Sequence, residues 1–167
     1  SPGLATLGHG GMLFPLSSRA LDADKLWRIV ELDRITIVTM VGDSFGRPMV
    51  ESLDRASAEG RMTDLSSLRL LLSSGGMFSA ATKEAMLDHH GCTIVDSLGS
   101  SEGTGMASQV MSRRRRDTAT ARFRLGAHTR VLTDEGIDVQ PGSGERGQIA
   151  LGWPLPLGYF KDPAKTE

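Results

Sequence analysis

The residues with the clearest chemical potential form a run of small polar side chains around one acid, Asp96-Ser97-Leu98-Gly99-Ser100-Ser101-Glu102-Gly103-Thr104-Gly105. The run follows an apolar segment, Thr93-Ile94-Val95, that is typical of a buried strand. Small side chains allow a ligand to approach the backbone closely. The hydroxyls and amides of such a loop can hydrogen-bond a nucleotide or an oxyanion, and Glu102 can bind a metal ion or a positive group. The sequence therefore predicts a ligand-binding loop at the carboxyl end of a strand.

The same loop also permits a different chemistry. Residues Gly99-Ser100-Ser101-Glu102-Gly103 match the Gly-x-Ser-x-Gly pattern of the hydrolase nucleophile elbow, with Ser101 as the nucleophile. A hydrolase needs a helix directly after that serine, and an acid and a histidine further along the chain. Here Gly103-Thr104-Gly105 and β-favouring residues follow, and His128 is the only later histidine. A serine hydrolase is therefore a remote alternative, and a purely structural turn also stays open.

The composition indicates an ordinary globular domain. A chain of 167 residues, with 39% hydrophobic and 23% charged residues, can bury roughly 70% of its unfolded surface. The net charge of -1 gives no general attraction to nucleic acid or to an anionic membrane, and no apolar run is long enough to span a bilayer. The single cysteine, Cys92, favours a reducing compartment and is best explained as a small buried hydrophobe. We therefore expect a cytoplasmic protein with neither a nucleic-acid partner nor a membrane span.

Capping residues and hydrophobic periodicity predict a repeated order of helix and strand. Asp22 is a good N-cap for the first helix. A second helical stretch is expected at Asp43 to Glu59, and because Pro48 is allowed only near a helix start, its regular part should begin around Arg47. Ser79 should cap the third helix, and Gly91 should end it in a left-handed conformation. The expected strands lie at 12–14, 35–41, 68–73 and 93–96.

Alternation of this kind implies an α/β fold with a mostly parallel sheet over about residues 10–104. Ligands bind beyond the carboxyl ends of such strands. Two of these ends carry small polar residues, at Ser73-Ser74-Gly75-Gly76 and at 96–102. Side by side, the two ends would make one site.

The second part of the chain has a different character. Residues 105–152 contain short β segments between strong turn signals such as Asp134-Glu135-Gly136, which predict a short-stranded antiparallel sheet or small barrel. Four consecutive arginines, Arg113-Arg114-Arg115-Arg116, are expected to form a solvated hairpin tip. The predicted division is an α/β part at 1–104 and a β-rich part at 105–167.

Four segments, in order, resemble the landmarks of the adenylate-forming superfamily, which includes acyl-CoA synthetases, luciferases and peptide-synthetase adenylation domains. They correspond to its Ser-Gly-Gly turn, its Tyr-Gly-x-Thr-Glu signature, its Pro-Pro-Gly-x-x-Gly-Glu-[ILV] segment and its Gly-Tyr-x-x-[DN]-Pro-x-x-Thr segment. The matching stretches are Leu68 to Ser79, Leu98 to Glu102, Pro141 to Ile149 and Leu157 to Thr166. Each match is weak alone, but together they are specific, and they are nearest to fatty-acid-type acyl-CoA synthetases.

This resemblance implies an acid-thiol ligase that joins a carboxylic acid to ATP, forms an acyl-adenylate and transfers the acyl group to coenzyme A. By motif match, Glu102 would coordinate the Mg²⁺ that bridges the ATP phosphates, and Ser101 would contact phosphate in place of the family's threonine. A cation and hydrogen-bond donors are needed because a carboxylate is a poor nucleophile beside a polyphosphate. The residues implied to border adenine and the reacting carboxylate are Ser74, Gly75, Gly76, Asp96, Ser97, Leu98 and Gly99.

The resemblance to the family also has implications for the nucleotide contact and for the acid substrate. Leu98 stands where the family usually has an aromatic residue near adenine, so that contact is weakened or moved. The resemblance implies an acyl pocket at Gly42, Phe45 and Met77, although Phe45 and Met77 would serve equally well in the core. The substrate implied is a fatty or related apolar acid, which the sequence does not name further.

The chain carries only part of the family's site. It opens at Ser1-Pro2 without an initiator Met, and the family's phosphate loop, ribose-binding aspartate and C-terminal lysine domain have no counterpart in it. We therefore expect an internal fragment of the AMP-binding N-terminal domain. It should lack synthetase activity on its own and should self-associate, as a possible homo-oligomer. A non-catalytic nucleotide- or acyl-binding module on the same scaffold stays the alternative.

Overall fold

The computed structural model describes residues 2–17, 19–100, 103, 105–117, 119–153 and 155–166. Its helices are α1 (Pro2–Gly8), α2 (Ala23–Leu32), α3 (Gly42–Ala58) and α4 (Ala80–His89), with a short 3₁₀ helix at Pro163–Lys165. Its strands are β1 (Ile37–Met40), β2 (Leu70–Ser74), β3 (Thr93–Leu98), β4 (Ala107–Met111), β5 (Arg124–Leu125), β6 (Thr129–Leu132) and β7 (Gln148–Leu151). Within these residues, no helix is both long enough and apolar enough to cross a bilayer.

Strands β1 to β5 form one sheet in that order, and β6 pairs with β7 in another. Strand β1 runs parallel to β2, in a register from Ile37↔Leu70 to Met40↔Ser73. Strands β4 and β5 are antiparallel, and so are β6 and β7, from Thr129↔Leu151 to Leu132↔Gln148. The predicted α/β class, with a mostly parallel sheet followed by short antiparallel strands, is confirmed.

The predicted antiparallel sheet is present as the β6–β7 pair, but it does not contain all of the short strands. Strands β4 and β5 extend the first sheet instead of forming their own. Strand β5 contains only two residues, Arg124–Leu125, and so short a strand cannot satisfy enough backbone groups to begin a new sheet. Strand β4 is also hydrogen-bonded to β3, so the β4–β5 pair continues the five-stranded sheet.

The chain divides into two compact units, Ser1–Val95 with Val110–Ala121, and Asp96–Gln109 with Arg122–Glu167. In the first unit, the buried side chains of α2, α3 and α4 pack with those of the strands into one hydrophobic core. Its most deeply buried members include Val30, Met49, Leu71, Phe78, Met86, Leu87 and Ile94.

The strand predicted at 12–14 is wrong, because those residues are irregular and exposed and pair with no described strand.

Helix α2 begins and ends where its sequence signals predict. The Asp22 carboxylate accepts a hydrogen bond from the Lys25 amide (3.0 Å), which satisfies one of the free N–H groups at the helix start. Its buried face is formed by Leu26, Trp27 and Val30. The Trp27 indole N–H donates to the Met49 carbonyl oxygen in α3 (2.9 Å), so this ring is buried without an unpaired donor.

Helix α3 begins earlier than the sequence predicts. It starts at Gly42, not near Arg47, and Pro48 lies inside it. A proline within a helix removes the hydrogen bond to the carbonyl four residues earlier, here that of Ser44, which is exposed and can bond water. The first turn is held instead by Asp43, which bonds residues that follow β2. These tertiary contacts outweigh the local proline signal.

Helix α4 has the predicted N-cap but not the predicted end. Ser79 Oγ accepts a hydrogen bond from the Thr82 amide (3.3 Å), as the capping pattern requires. The expectation that Gly91 ends the helix in a left-handed conformation is wrong. His90 is the C-cap residue and is extended, and Gly91 has no positive φ.

An arginine side chain satisfies the end of α4. The Arg113 guanidinium donates to the carbonyl oxygens of Leu87 (2.9 Å) and Asp88 (3.1 Å). A Cβ at Gly91 would lie 3.1 Å from Arg113 Cδ, so the glycine leaves room for this side chain. Arg116 donates to the Asp88 carboxylate (2.8 Å). The predicted solvated hairpin tip is therefore tied to α4 through two of its four arginines.

Replacing Arg113 by alanine is expected to lower the free energy of unfolding by about 1–2 kcal/mol, because a charged donor to two end carbonyls is lost. Urea unfolding followed by circular dichroism measures the change. The matched control is Arg114→Ala, because Arg114 is exposed and makes no hydrogen bond with any residue that the structure describes. Its loss should change stability by less than about 0.5 kcal/mol. Equal effects of the two substitutions would contradict this role for Arg113.

Candidate functional site

In the first unit, the turn after β1 contacts the turn after β2. The Asp43 amide donates to the Met77 carbonyl oxygen (2.7 Å), and the Gly42 amide donates to Ser73 Oγ (3.1 Å). Ser73 is buried and is the fourth residue of β2. The structure therefore brings together Gly42 and Met77, two of the residues predicted for an acyl pocket.

Two glycines allow the close approach of these turns. Gly42 has a φ of +48°, and a Cβ there would overlap the Met77 carbonyl oxygen and lie 2.8 Å from the Gly76 carbonyl carbon. A Cβ at Gly76 would lie 3.1 Å from Val41 Cγ1. Because the obstructing atoms at Gly42 belong to the backbone, any other residue there would push the turns apart.

The apolar side chains around these turns have different surroundings. Met77 is 66% exposed and Val41 is 40% exposed, so both present apolar surface to solvent. Phe45 is partly buried and packs against the hydrophobic core. An exposed apolar pair beside a glycine turn suits an apolar ligand, whereas Phe45 contributes to the core. The acyl-pocket role of Phe45 stays a prediction.

Asp43 connects the start of α3 to the start of α4. Its Oδ1 accepts hydrogen bonds from the Ser79 amide (2.9 Å) and hydroxyl (3.1 Å), and its Oδ2 accepts one from Arg47 Nε (3.1 Å). Burial opposes ionisation of this carboxyl group, but the bonds from Ser79 and Arg47 outweigh it and hold the pKa of Asp43 below its ordinary value. Asp43 is thus anionic at neutral pH.

The sequence places Ser73 in a small polar run at a strand end and Asp43 in the turn of the expected acyl pocket, but it gives neither residue an individual role. Ser79 lies 36 residues beyond Asp43 along the chain, and Ser73 lies 31 residues beyond Gly42. No local pattern relates residues at such separations. The available signal was weaker: an acid directly after a glycine, at the point where a strand leads into a helix.

The predicted ligand loop begins later than expected. Strand β3 extends to Leu98, beyond the predicted end at Asp96, because Gly99 is the first following residue that disfavours a strand. Asp96 is buried and Leu98 is 36% exposed. The proposed contacts of Ser97, Leu98 and Gly99 with a nucleotide stay predictions, as does that of Asp96.

The two central residues of the loop, Ser101 and Glu102, lie outside the described residues. Their flanking residues bond each other twice: the Ser100 amide donates to the Gly103 carbonyl oxygen (2.8 Å), and the Gly103 amide donates to Ser100 Oγ (3.2 Å). A Cβ at Gly103 would overlap Leu151 Cδ2, so a larger residue there would displace the end of that side chain. The phosphate and metal roles of Ser101 and Glu102 stay predictions.

The surrounding structure does not favour a hydrolase. A nucleophile elbow leads from a strand directly into a helix, whereas residues 105–106 lead into strand β4. His128, the histidine that a hydrolase would need, is exposed in the connection between β5 and β6. Among the residues that the structure describes, the nucleophile-elbow pattern of the loop therefore lacks the helix that a serine hydrolase needs directly after it.

The cysteine and the two histidines at the end of α4 are held by their structural surroundings. Cys92 is buried, and burial raises the pKa of its thiol to about 11, which makes it unreactive. His89 Nε2 bonds the Asp54 carboxylate (2.8 Å), and His90 Nε2 bonds the Leu68 carbonyl oxygen (2.8 Å). In the part of the chain that the structure describes, no three His, Cys, Asp or Glu side chains are grouped to hold a metal ion.

A mostly parallel α/β sheet with glycine- and serine-containing turns after β2 and β3 is typical of proteins that bind ligands beyond their strand ends. The profile of the AMP-binding enzyme family matches residues 3–160. The chain belongs to this family, as the sequence resemblance predicts.

Several curated relatives of this chain are CoA ligases by name. A medium/long-chain-fatty-acid–CoA/3-oxocholest-4-en-26-oate–CoA ligase of Mycolicibacterium smegmatis is 38% identical over 144 residues, which are 86% of this chain and 26% of that protein. A 3-oxocholest-4-en-26-oate–CoA ligase of Rhodococcus rhodochrous is 36% identical over 149 residues, again 86% of this chain and 26% of that protein. The chain thus spans about a quarter of the length of these relatives.

Solved structures share the fold. The N-terminal domain of FACL13 from Mycobacterium tuberculosis superposes with a TM-score of 0.72 at 21% identity, over 96% of this chain and 39% of that one. The amide bond synthetase McbA from Marinactinospora thermotolerans gives a TM-score of 0.72 at 23% identity, over 96% of this chain and 31% of that one. At these identities the likeness concerns the fold alone.

Proposed function

We propose that this chain is part of a longer ATP-dependent acyl-CoA synthetase. The observation that carries the proposal is the 38% identity over 144 residues to a fatty-acid–CoA ligase, within a family match over residues 3–160. In the first step, a carboxylate oxygen attacks the α-phosphorus of ATP, which forms an acyl-adenylate and releases pyrophosphate. In the second, the coenzyme A thiol loses its proton and attacks the acyl carbon, and AMP leaves.

The loop around Glu102 suits the phosphates of ATP with Mg²⁺. This ion takes oxygen ligands and needs only one or two protein carboxylates beside the substrate phosphates, so Glu102 meets the requirement. Held by Glu102, the ion would supply positive charge that offsets the repulsion between the attacking carboxylate and the phosphates. Ser100 and Gly103, which flank residues 101–102 in the sequence, are joined to each other by two hydrogen bonds. The Ser101 hydroxyl would donate a hydrogen bond to a phosphate oxygen.

The nucleotide base and the reacting carboxylate are assigned to the strand-end residues. Residues 74–77 are exposed, which leaves backbone N–H and C=O groups of the Ser-Gly-Gly turn accessible to adenine. Gly75 has a φ of +82°, and a Cβ there would meet only Val41 Cγ1, at 3.9 Å. The remaining assigned residues, at the end of β3 and just after it, are Asp96, Ser97, Leu98 and Gly99.

The proposed substrate is an apolar carboxylic acid. Val41 and Met77 present exposed apolar side chains beside Gly42 and Gly76. The names of the relatives specify medium- and long-chain fatty acids and 3-oxocholest-4-en-26-oate. We assign the acid to this class, with its hydrocarbon part against Val41 and Met77.

We also propose that the protein is cytoplasmic and that residues 1–167 self-associate. The buried, lone Cys92 supports a cytoplasmic location. Self-association of residues 1–167 is supported by exposed large apolar side chains. These include Met12, Met62, Trp153, Leu157 and Phe160.

The test uses the full-length protein that contains this segment, incubated with ATP, Mg²⁺, coenzyme A and a series of fatty and steroid acids. We expect acyl-CoA and AMP in equal amounts from at least one acid, measured by mass spectrometry, and none without ATP. Residues 1–167 alone should form neither product. Binding of ATP by the full-length protein without AMP formation from any acid would favour the non-catalytic module instead.

A further inference from the structure

Asp43 lies where two helices begin. It is in the first turn of α3, and its carboxylate accepts hydrogen bonds from Ser79, the N-cap residue of α4. Helix N-termini carry partial positive charge, so both helices stabilise an anion at this point. The Asp43 side chain is only 12% exposed, which limits competition from water. The carboxylate therefore holds both helix starts in a fixed arrangement.

The bonds of Asp43 fix the segment that follows the Ser-Gly-Gly turn at two points. Its amide donates to the Met77 carbonyl oxygen (2.7 Å), and its carboxylate binds the Ser79 amide (2.9 Å) two residues further on. Arg47 orients the carboxylate through Nε (3.1 Å) and Nη2 (3.0 Å). The backbone at 77–79 is thus attached to the start of α3.

These attached turns carry the exposed apolar pair. Val41 directly precedes α3. Its side chain packs close to Gly76, because a Cβ added at Gly76 would lie only 3.1 Å from Val41 Cγ1. Met77 follows Gly76 and is bonded to Asp43 through its carbonyl oxygen. The spacing between the Val41 and Met77 side chains therefore depends on the Asp43 bonds.

We propose that Asp43 is a positioning residue that sets the shape of the acid-binding rim formed by Val41 and Met77. This inference rests on the proposed function. Asp43 does not touch the acid, because Ser79 and Arg47 occupy its oxygens. Loss of its charge weakens the two bonds from Ser79, while the bond from the Asp43 amide to Met77 remains. The 77–79 backbone is then held less firmly to α3, so that the acid binds less tightly and less selectively. The binding of ATP changes little.

The test is Asp43→Asn in the full-length protein, because asparagine keeps the size of the side chain and removes its charge. We expect the KM for the preferred acid to rise about tenfold, the size of one lost charge-assisted hydrogen bond, and the dependence on acid chain length to flatten. The KM for ATP should stay within about twofold. Ser79→Ala, which removes one of the two Ser79 bonds, should raise the KM for the acid about threefold.

The matched control is Asp22→Asn, which makes the same change at the N-cap of α2, where the carboxylate binds the Lys25 amide. It should leave both KM values unchanged. Hydrogen exchange gives a readout that does not depend on turnover. In Asp43→Asn, exchange should become faster in residues 73–82 and stay unchanged in residues 23–32, whereas a general loss of stability would accelerate both.

The outcomes separate the two claims. If the wild-type protein forms acyl-CoA, and Asp43→Asn behaves like Asp22→Asn in both KM values, the positioning role is overturned and the proposed function stands. If the wild-type protein forms no acyl-CoA from any acid, the proposed function fails. The exchange of residues 73–82 then decides alone whether Asp43 fixes the turn, and unchanged exchange overturns that role as well.

Discussion

Gly42→Ala is expected to lower the free energy of unfolding by about 3 kcal/mol, and two costs add to give this loss. A residue with a Cβ at a φ of +48° is strained by roughly 1–2 kcal/mol. The new Cβ would also overlap the Met77 carbonyl oxygen and lie 2.8 Å from the Gly76 carbonyl carbon. The backbone must then move, at a cost of about 1–3 kcal/mol, and the bond from the Asp43 amide to Met77 is weakened. Urea unfolding of the chain measures the total.

The control for this prediction is Gly60→Ala, just beyond the end of α3. Gly60 also has a positive φ, +71°, but a Cβ there would have no atom within 4 Å. This variant should therefore show the strain alone, about 1 kcal/mol. If both variants lose the same stability, the contact with the turn after β2 is not the reason that residue 42 is glycine.

Glu102→Gln in the full-length protein is expected to lower kcat/KM for acyl-CoA formation by about 100- to 1000-fold. Glutamine keeps the shape of the side chain but lacks the negative charge of the carboxylates through which proteins usually bind Mg²⁺. Calorimetry of ATP binding in the presence of Mg²⁺ gives a readout independent of turnover, and the affinity should fall with the substitution.

Glu135→Gln provides the same change of charge at an exposed position in the turn after β6. Its kcat/KM and its affinity for ATP with Mg²⁺ should stay within about twofold of the wild type. A Glu102→Gln variant that behaves like this control in both measurements would remove Glu102 from the phosphate site.

The elements with strong local signals could be predicted from the sequence. Asp22 and Ser79 cap their helices as expected, because each bonds an amide only three residues along the chain. Strand β7 (Gln148–Leu151) lies in the region for which turn signals predict short strands. In each case the residues that define the element are close together in the sequence, so the pattern and the structure depend on the same few side chains.

Features that depend on distant residues could not be predicted in this way. The start of α3 is fixed by a bond between Asp43 and Ser79, 36 residues apart. The end of α4 is satisfied by a bond between Arg113 and Leu87, 26 residues apart. The local signals, Pro48 and Gly91, indicated other limits, and tertiary contacts outweighed them in both elements.

The candidate site shows the same division. The Ser-Gly-Gly turn and the loop around Glu102 could be found from composition, because small residues cluster after predicted strands. The sequence could not distinguish Met77 from Phe45, since either is apolar enough for a pocket or a core. The structure separates them by exposure: Met77 is largely exposed, and Phe45 packs against the core.

Acid-dependent exchange of labelled pyrophosphate into ATP shows whether the full-length protein activates a carboxylic acid as an acyl-adenylate. Exchange requires only reversible formation of an acyl-adenylate and does not depend on coenzyme A or on any later step. We predict exchange with at least one medium-chain, long-chain or steroid acid, and none when the acid is omitted. A protein that binds ATP but shows no acid-dependent exchange across that series would contradict the assignment of this chain to an acid-activating enzyme.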